Sequence, residues 1–357
     1  MPLSPARGLA FEILTAVERG GYAGDLLAAR AGDLDSRDAG LASEIVFGVL
    51  RYQSQLDYLI EWYSGKPATR LDVPVRLILR MGIYQLRYLD RVPPHAAVSE
   101  SVELIKRARK RSAAGFANAV LRKVNRDPVD WPNRAIELAH PEWLLERWDR
   151  QYGPKTAAAI ARANLHAPET YVNSETGRIQ DIGAQSIVPL LRLEPGMRFL
   201  DLCAAPGNKT AQALAAGVHA VACDVHFHRL APLKSLGIDL VQLDGTQPLP
   251  FARRFDRILI DAPCSGTGTL ARNPEIKWRL TPADLPDLRA RQVALLEQGR
   301  RVLAPGGLLV YATCSLEREE NQDVVAAVPE ATVMAVSERL PGRDPGDGFF
   351  AAVLHCT

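Results

Sequence analysis

The sequence predicts an all-α region at the front of the chain and an α/β region with a doubly wound, largely parallel sheet behind it. The first observation is helical periodicity, since apolar side chains recur three and four residues apart from Pro5 to about Arg126. The second is an alternation of short apolar strands and helices from Ser186 onward. The third is a row of aspartates that directly follow those strands. Because ligands in such sheets bind beyond the carboxyl ends of the strands, we expect a site there.

Composition limits the classes of protein to which the chain can belong. Its 357 residues allow two or three domains, and 47% hydrophobic with 24% charged residues is ordinary for a globular protein. The net charge of +2 does not by itself indicate a nucleic-acid binder. No apolar run reaches the length of a membrane span, and the first residues lack the pattern of a signal peptide, so we expect a cytoplasmic protein without membrane contact. The five cysteines lack Cys-x-x-Cys spacing, which predicts reduced thiols and no metal site: Cys203, Cys223, Cys264, Cys314 and Cys356.

The front region predicts a bundle of several short helices. Apolar stripes at helical spacing recur along it, and glycine and proline pairs such as Gly20-Gly21 and Pro93-Pro94 separate them. The clearest stripes are Leu9, Ile13, Leu14 and Val17; Leu41, Ile45, Val49 and Leu50; and Val75, Leu79, Ile83 and Leu86.

A basic run lies near the end of this region. It comprises Lys106 to Arg111 and is followed by Arg122, Lys123 and Arg126. One interpretation is a solvated helix face, and the other is a patch that contacts phosphates. Acidic residues become sparse after Glu103, which favours the second interpretation.

We expect three segments in the chain: a helical domain at 1–127, a connector at 128–185 and a catalytic domain at 186–357. Repeated prolines interrupt the connector, and one or two helices are expected between Glu142 and Leu165. In the α/β region a helix carries Leu288, Gln292, Leu295, Leu296, Gly299 and Leu303 on one face and stops at Pro305-Gly306-Gly307. The segment DGFFAAVLH predicts one more strand, at a sheet edge. The other predicted strands are Arg198–Leu202, Ala220–Cys223, Leu240–Leu243, Arg257–Ile260 and Leu308–Ala312.

The loop after the first of these strands has the features of a cofactor site. Small residues in Cys203–Lys209 let a ligand approach the backbone, but neither the G-x-G-x-x-G nor the phosphate-loop pattern is present. A carboxylate after the second strand, Asp224, suits the hydroxyls of a ribose, and Asp244 after the third can accept from an adenine amino group. With Asp261 after the fourth, the acids favour a cationic nucleoside cofactor, and S-adenosylmethionine fits. Each aspartate taken alone could also be a turn or helix-capping residue, but this alternative carries much less weight for the whole row.

Two cysteines are expected to face one pocket. Cys264 follows the Asp261 strand, and Cys314 follows the strand Leu308–Ala312, which should lie beside it. A lone cysteine is most often a packing residue, and we interpret Cys203 and Cys223 in this way and Cys356 as inert. Two thiols next to a methyl donor suit methylation at C5 of cytosine, where one thiolate adds to C6 and a second group helps to remove the C5 proton. Spacing alone leaves the two thiols interchangeable.

The front region resembles the RNA-binding fold of the antitermination factor NusB. The resemblance covers most of residues 5–126 and implies binding to structured RNA. It is carried by ARGLAFEILTAVERGGYAGDLL, RDAGLASEIVFGVLRYQSQLDYLI, RLILRMGIYQLRYLDRVPPHAAVSESVELIKRA and GFANAVLRKV.

The α/β region closely resembles the RNA cytosine-C5 methyltransferases, and with the front region the chain resembles the bacterial 16S rRNA enzymes of the Sun/Fmu type. This resemblance is carried by FLDLCAAPGNKT, ACD, QLDG, RILIDAPCSGTG, RNPEIKWR and LLVYATCSLEREEN. It implies a class I methyltransferase fold of the Rossmann type, Cys314 as the nucleophile, Cys264 in product release and Asp261 at the base. It also implies that S-adenosylmethionine is bound by Cys203, Ala204, Ala205, Pro206, Gly207, Asn208, Lys209, Asp224, Asp244 and Asp261.

The chain departs from the family at two places. Asn208 occupies the position of a second glycine, and the segment between Asn173 and Gln185 is shorter than the small α+β lobe that the family has there. We expect a monomer that acts on 16S rRNA, naked or in an assembling small subunit.

Two alternatives remain open. An amino-group methyltransferase normally has Asp/Asn-Pro-Pro-aromatic after the fourth strand, which the sequence from Asp261 to Cys264 does not match. A non-catalytic RNA-binding or ribosome-assembly factor that retains the fold would keep the same packing, and Asn208 and the shortened segment are compatible with it.

Overall fold

The computed structural model describes residues 3–356, with side-chain detail for residues 3–355. The side chain of Cys356, which we expect to be inert, therefore lies outside the described residues. The chain divides into two compact units. The first unit runs to His166 and adds Leu270–Trp278, and the second consists of Ala167–Thr269 and the residues from Arg279 onward.

The first unit is helical, as the periodicity predicts. Ser4 caps the first helix with its hydroxyl, Asp35 caps the third with its carboxylate, and Gly65 ends the fourth in the left-handed conformation. In the described part of this unit the helices are α1 Pro5–Val17, α2 Ala23–Arg30, α3 Ser36–Arg51, α4 Gln53–Ser64, α5 Val73–Tyr88, α6 Pro94–Arg107, α7 Ala114–Leu121, α8 Arg134–Glu137, α9 Glu142–Tyr152 and α10 Pro154–Ala163.

The predicted stripes form the core of this unit. One continuous cluster joins α1 to α7, and its side chains are almost completely buried. Close packing between helices is visible at Gly48, where an added Cβ would lie 1.9 Å from the ring of Tyr84. Members of the cluster include Ile13, Leu14, Ile45, Val49, Leu56, Leu59, Ile60, Leu79, Ile83, Ile105 and Leu121.

The compact units differ from the expected segments at two places. The helices α8, α9 and α10 belong to the first unit rather than to a separate connector, and Gln55 of α4 donates to the carbonyl of Glu137 in α8 at 2.6 Å. The helices expected between Glu142 and Leu165 are present as α9 and α10. What remains of the connector begins at Ala167, where Val172 and Ile179 pair in a single antiparallel bridge across a short turn.

The second difference is the segment Leu270–Trp278, which folds with the helical unit. Arg51, at the end of α3, donates through two nitrogens to the carbonyl of Ala271 at 2.9 and 2.8 Å. In return, the Lys277 amine donates to the carbonyl of Arg51 at 2.9 Å, and the Trp278 indole donates to the carbonyl of Leu50 at 2.7 Å. Carbonyls at the end of a helix lack partners within it, so this segment closes the end of α3.

The second unit contains the predicted α/β sheet. The strands are β1 Arg198–Asp201, β2 His219–Asp224, β3 Asp239–Gln242, β4 Phe255–Asp261, β5 Leu303–Thr313, β6 Ala331–Arg339 and β7 Phe349–Cys356. Within the described residues they form one sheet in the order β3-β2-β1-β4-β5-β7-β6, with β1 to β5 parallel and β7 antiparallel to both of its neighbours. The later helices are α11 Ile182–Gln185, α12 Asn208–Leu214, α13 Phe227–Leu230, α14 Ile276–Arg279, α15 Leu285–Arg301 and α16 Gln322–Ala326, and the first three residues of α14 belong to the first unit.

The prediction that DGFFAAVLH forms an edge strand was wrong in its position. It forms β7, but β7 lies between β5 and β6, and the edge is β6. A strand with one buried face is recognised in a sequence by the alternation of apolar and polar residues. The residues of β6 from Thr332 to Val336 are all exposed, so nothing requires this alternation, and the sequence does not show it. Among the described residues, none of the helices has both the length and the apolar character required to cross a lipid bilayer.

Candidate active site

The carboxyl ends of the parallel strands bring the predicted acids to one side of the sheet. Asp201 and Asp224 are the last residues of β1 and β2, and Asp261 is the last residue of β4. Asp244 follows β3, and its carboxylate accepts from the hydroxyl of Thr246 at 2.7 Å and the amide of Thr246 at 3.0 Å. Both bonds stabilise the ionised form, and they lower the pKa of Asp244.

A cavity of about 460 Å³ lies at these strand ends. This volume is in the range of sites that bind small molecules. The cavity is lined by Leu202, Cys203, Ala205, Asp224, Val225, His226, Arg229, Leu243, Asp244, Gly245, Thr246, Asp261, Pro263, Arg291 and Leu295.

Five of the residues predicted to bind the cofactor line this cavity: Cys203, Ala205, Asp224, Asp244 and Asp261. The other five are not among the lining residues. Ala204 donates its amide to the carbonyl of Cys223 at 2.8 Å, and Gly207 has a φ of +101° with Leu233 2.6 Å from the position of an added Cβ. Pro206 is exposed, Asn208 is the first residue of α12, and Lys209 donates a hydrogen bond to Asp261.

Asn208 is not among the residues that line the cavity. Its carbonyl oxygen lies 3.5 Å from a guanidinium nitrogen of Arg178, and its amide nitrogen lies 3.4 Å from the carbonyl of Ile179. The side chain at this position therefore contacts the shortened segment after Asn173 and does not line the cavity.

Lys209 and Asp261 form an ion pair, with the amine nitrogen 2.6 Å from Oδ2. Burial alone would lower the pKa of Lys209, but the charge and the hydrogen bond of Asp261 outweigh burial and raise it. The amine also lies 5.2 Å from the ring centroid of Phe349, within the range of a cation–π contact. The lysine thus stays charged and fixes one oxygen of the Asp261 carboxylate.

The two predicted thiols are in contact. The Sγ atoms of Cys264 and Cys314 lie 3.4 Å apart. The pairing of Asp261 with Ala312 across β4 and β5 puts both loops at neighbouring strand ends. The hydrogen bond with Cys314, followed by burial, raises the pKa of the Cys264 thiol well above its ordinary value. Cys264 therefore holds its proton at neutral pH.

The other two described cysteines have different surroundings. Burial raises the pKa of Cys223 to about 12, and it raises the pKa of Cys203 as well. Cys223 is completely buried in the core of the sheet, in agreement with its interpretation as a packing residue. Cys203 packs against the same core and also lines the cavity.

The cavity has lining residues that the sequence did not mark as functional. Arg229 lies 3.9 Å from Oδ2 of Asp224, and it follows that acid by five residues, a spacing that could have drawn attention to it. Arg291 comes from the middle of α15, far along the chain from every strand end, and no sequence signal points to it. His226 reaches the cavity next to Asp224, to whose carboxylate it donates its amide at 2.9 Å.

The residues of the cavity fit S-adenosylmethionine. The sulfonium of this cofactor is cationic, and three carboxylates line the cavity. Asp224 and Asp244 line the cavity beside the apolar side chains of Leu202, Leu243 and Leu295, so the lining offers acceptors for hydroxyl and amino groups and an apolar surface for a base.

Comparisons with known proteins agree with this arrangement. Residues 188–355 match the family model described as 16S rRNA methyltransferase RsmB/F, and residues 4–126 match that of the NusB family. The chain is 33% identical to ribosomal RNA small subunit methyltransferase B of Klebsiella pneumoniae subsp. pneumoniae and to that of Shigella flexneri, each over 95% of both chains. The first of these alignments spans 410 positions, more than the 357 residues of this chain.

Solved structures confirm the fold. The crystal structure of PH0851 aligns with a TM-score of 0.81 and 20% identity over 99% of both chains. A methyltransferase homolog from Pyrococcus horikoshii aligns with a TM-score of 0.54 and 24% identity over 62% of this chain and 97% of its own. The helical NusB domain, the mixed seven-stranded sheet and S-adenosylmethionine as the cofactor are therefore confirmed. The chain belongs to the 16S rRNA methyltransferase RsmB/F family.

Proposed function

We propose that this methyltransferase transfers a methyl group from S-adenosylmethionine to C5 of a cytosine in 16S rRNA, through a covalent bond between Cys314 and C6 of the base. The observation that carries the proposal is the 3.4 Å contact between the sulfurs of Cys264 and Cys314, beside Asp261. Methyl transfer to an amino group has no use for a pair of thiols, whereas transfer to ring carbon C5 requires two groups that act in turn.

The chemistry follows from the low nucleophilicity of C5. When a thiolate adds to C6, a carbon–sulfur bond forms and the electron pair of the C5–C6 double bond makes C5 nucleophilic. The bound cofactor supplies an electrophilic methyl group. Methylated C5 still carries its hydrogen, so a base must remove that proton. The electrons then restore the double bond and expel the sulfur from C6.

The protonation of Cys264 supports Cys314 as the nucleophile. Cys264 keeps its proton at neutral pH and can donate it in a hydrogen bond to the sulfur of Cys314, so Cys264 is the less suited of the two to attack C6. The charged amine of Lys209 also interacts with Cys314. Once Cys314 is bonded to C6, its sulfur no longer carries a charge, and Cys264 can lose its proton to solvent and then accept the C5 proton.

Asp261 is proposed to contact the base. Its carboxylate, held through one oxygen by Lys209, is suited to hydrogen bonding with the exocyclic amine of cytosine and with N3 when N3 is protonated in the adduct. Such bonds stabilise the charge that develops on the ring as the thiolate adds. Both residues lie in the unit that carries the thiols.

The helical unit is proposed to bind RNA. In the basic run, Lys106 and Arg107 pair with Glu103, and Lys110 pairs with Asp72. Among the described residues, no ion pair of Arg109 or Arg111 is seen, and both side chains are exposed. These two are therefore proposed to contact phosphates. We propose that the enzyme acts in the cytoplasm as a monomer.

The test is methylation of unmodified small-subunit rRNA, naked and in subunit particles, with cofactor labelled in its methyl group. Wild-type protein is compared with Cys314→Ala, Cys264→Ala and the control Cys223→Ala. We expect label at cytosine C5 for wild type and for Cys223→Ala, and none for Cys314→Ala. Cys264→Ala should accumulate a protein–RNA adduct that resists denaturation, because the C5 proton is not removed.

Two other outcomes would contradict the proposal. An adduct that accumulates with Cys314→Ala rather than Cys264→Ala would show that the roles of the thiols are reversed. Binding of rRNA without transfer of label to either substrate would favour a non-catalytic assembly factor.

A further inference from the structure

A buried carboxylate lies behind the thiol pair. Glu320 is the last residue of a short 3-10 helix, Arg318–Glu320, and none of its surface is exposed. A charged group without access to water requires compensation by hydrogen bonds. The neighbouring residues Glu319 and Arg318 retain exposed surface, so the burial is specific to one residue of this helix.

The two oxygens of Glu320 accept four hydrogen bonds. Oε1 accepts from the amide of Ser265 at 2.8 Å and from the side-chain amide of Gln292 at 2.9 Å. Oε2 accepts from the hydroxyls of Ser265 and Ser315, both at 2.5 Å. These bonds occupy both oxygens of the carboxylate.

The donors come from both thiol loops. Ser265 directly follows Cys264, and Ser315 directly follows Cys314. Backbone contacts also join the loops, since the amide of Gly268 donates to the carbonyl of Cys314 at 2.8 Å. Glu320 connects the loops in another way, because its Oε2 atom accepts a hydrogen bond from one side chain of each loop.

We propose that Glu320 is a positioning residue that holds the Cys264 and Cys314 loops in register, so that the two sulfurs stay in contact. Its consequence for catalysis rests on the proposed function, because only the two-thiol reaction requires that contact. The geometric part concerns the thiols alone and can be measured without RNA.

The charge of Glu320 has a second effect. After the hydrogen bond with Cys314, burial and the charge of Cys314, the negative charge of Glu320 also raises the pKa of Cys264. Glu320 thereby helps to keep Cys264 protonated. A change to Gln retains an acceptor for the amides and offers an NH2 group to the two hydroxyls, which can rotate to accept, while it removes the charge.

The experiment uses the full-length protein with dibromobimane, which becomes fluorescent when it bridges two thiols, and mass spectrometry assigns the bridged pair. Glu320→Ala should slow bridging of Cys264 to Cys314 about tenfold or more, as expected when hydrogen bonds to a buried charge are lost. Glu320→Gln should bridge at least as fast as wild type, because the pH profile of Cys264 alkylation should move to lower pH. The control Glu330→Ala, at an exposed site, should match wild type.

Stability and activity measurements complete the test. If Glu320→Ala does not fold, the double variant Ser265→Ala/Ser315→Ala removes both hydroxyls from Oε2 and should slow bridging in the same way. Wild-type bridging in a folded Glu320→Ala or in the double variant would overturn the proposal, as would an unshifted pH profile in Glu320→Gln. In methylation, kcat should fall for Glu320→Ala with little change in KM for the cofactor. If wild type does not methylate C5, the proposed function fails while the bridging result still decides the role of Glu320.

Discussion

The amine of Lys209 lies 2.6 Å from Oδ2 of Asp261, at the mouth of the cavity that carries the acids. Lys209 is the second residue of α12, and Asp261 is the last residue of β4. This pair therefore connects the loop after β1 to the strand that leads to Cys264. The position of the Asp261 carboxylate therefore depends on Lys209.

Replacement of Lys209 should reduce methyl transfer more than cofactor binding. Lys209→Met keeps the length of the side chain but removes the charge that fixes Asp261, and we expect kcat to fall about 100-fold, as is typical when a catalytic group is misplaced. Single-turnover methylation and equilibrium cofactor binding measure the two effects. Lys155→Met, at an exposed site of α10, is the control. A selective loss of cofactor affinity with unchanged single-turnover rate would contradict this role.

Asp201 should make stability fall as pH rises. Burial raises the pKa of Asp201 from an ordinary 3.8 to about 7, against the opposing hydrogen bond from Thr210. A raised pKa means that the stabilising contribution is complete below pH 3.8 and is lost as pH rises to about 7. Asp201→Asn, which carries no charge at any pH, should therefore be more stable than wild type at pH 8, by up to about 4 kcal/mol.

Urea unfolding at pH 5 and pH 8, without cofactor, measures this difference. The exposed control Asp287→Asn should follow wild type at both pH values. An equal stability difference between wild type and Asp201→Asn at the two pH values would show that Asp201 titrates in the fold as it does in the unfolded chain.

Arg109 and Arg111 should contribute to RNA affinity. Both are exposed in the basic run, and neither has an ion pair among the described residues. The double variant Arg109→Ala/Arg111→Ala should bind rRNA more weakly, and the salt dependence of its affinity should decrease by roughly two phosphate contacts. Filter binding over a range of salt concentrations measures both, with Arg19→Ala/Arg37→Ala as a control of equal charge. An unchanged salt dependence would mean that this run is a solvated helix face.

Trp278 should stabilise the helical unit through its indole nitrogen. Trp278→Phe keeps an aromatic ring but leaves the carbonyl of Leu50 without its donor, which should lower the free energy of unfolding by about 1–2 kcal/mol. Thermal or urea unfolding measures this change. Trp62→Phe is the matched control, because Trp62 is 68% exposed and its replacement should have little effect. Equal effects of the two substitutions would show that the indole bond to Leu50 does not matter.

The central site could be predicted because its residues follow strands whose sequence pattern is clear. Asp261, Cys264 and Cys314 each come shortly after an apolar run, and the parallel order of β4 and β5 then brings the two thiols together. Their proposed roles do not follow from spacing, since both loops follow the carboxyl ends of neighbouring strands. The difference lies in the hydrogen bonds and burial around Cys264, which depend on residues distant in sequence.

Other features depend on three-dimensional packing that the sequence does not display. Glu317, Glu319 and Glu320 form a cluster of acids in the sequence, and nothing in its pattern indicates that Glu320 is the one that receives four hydrogen bonds from the thiol loops and α15. The exposed strand β6 lacks the alternation that marks a strand at the surface of a core. Leu270–Trp278 resembles a catalytic-domain motif in sequence, yet it belongs to the helical unit, where Lys277 and Trp278 donate to carbonyls at the end of α3.

The segment Leu270–Trp278 has a consequence for how the gene can be divided between the two units. The chain passes between the two units at three places: after His166, after Thr269 and after Trp278. A protease that cuts once near His166 would leave two pieces, and the longer one would still contribute Leu270–Trp278 to the fold of the shorter. A fragment that ends at His166 would lack the donors that Lys277 and Trp278 supply to α3. A single recombination crossover therefore cannot transfer either unit whole. Loss or exchange of one unit would also alter the fold of the other.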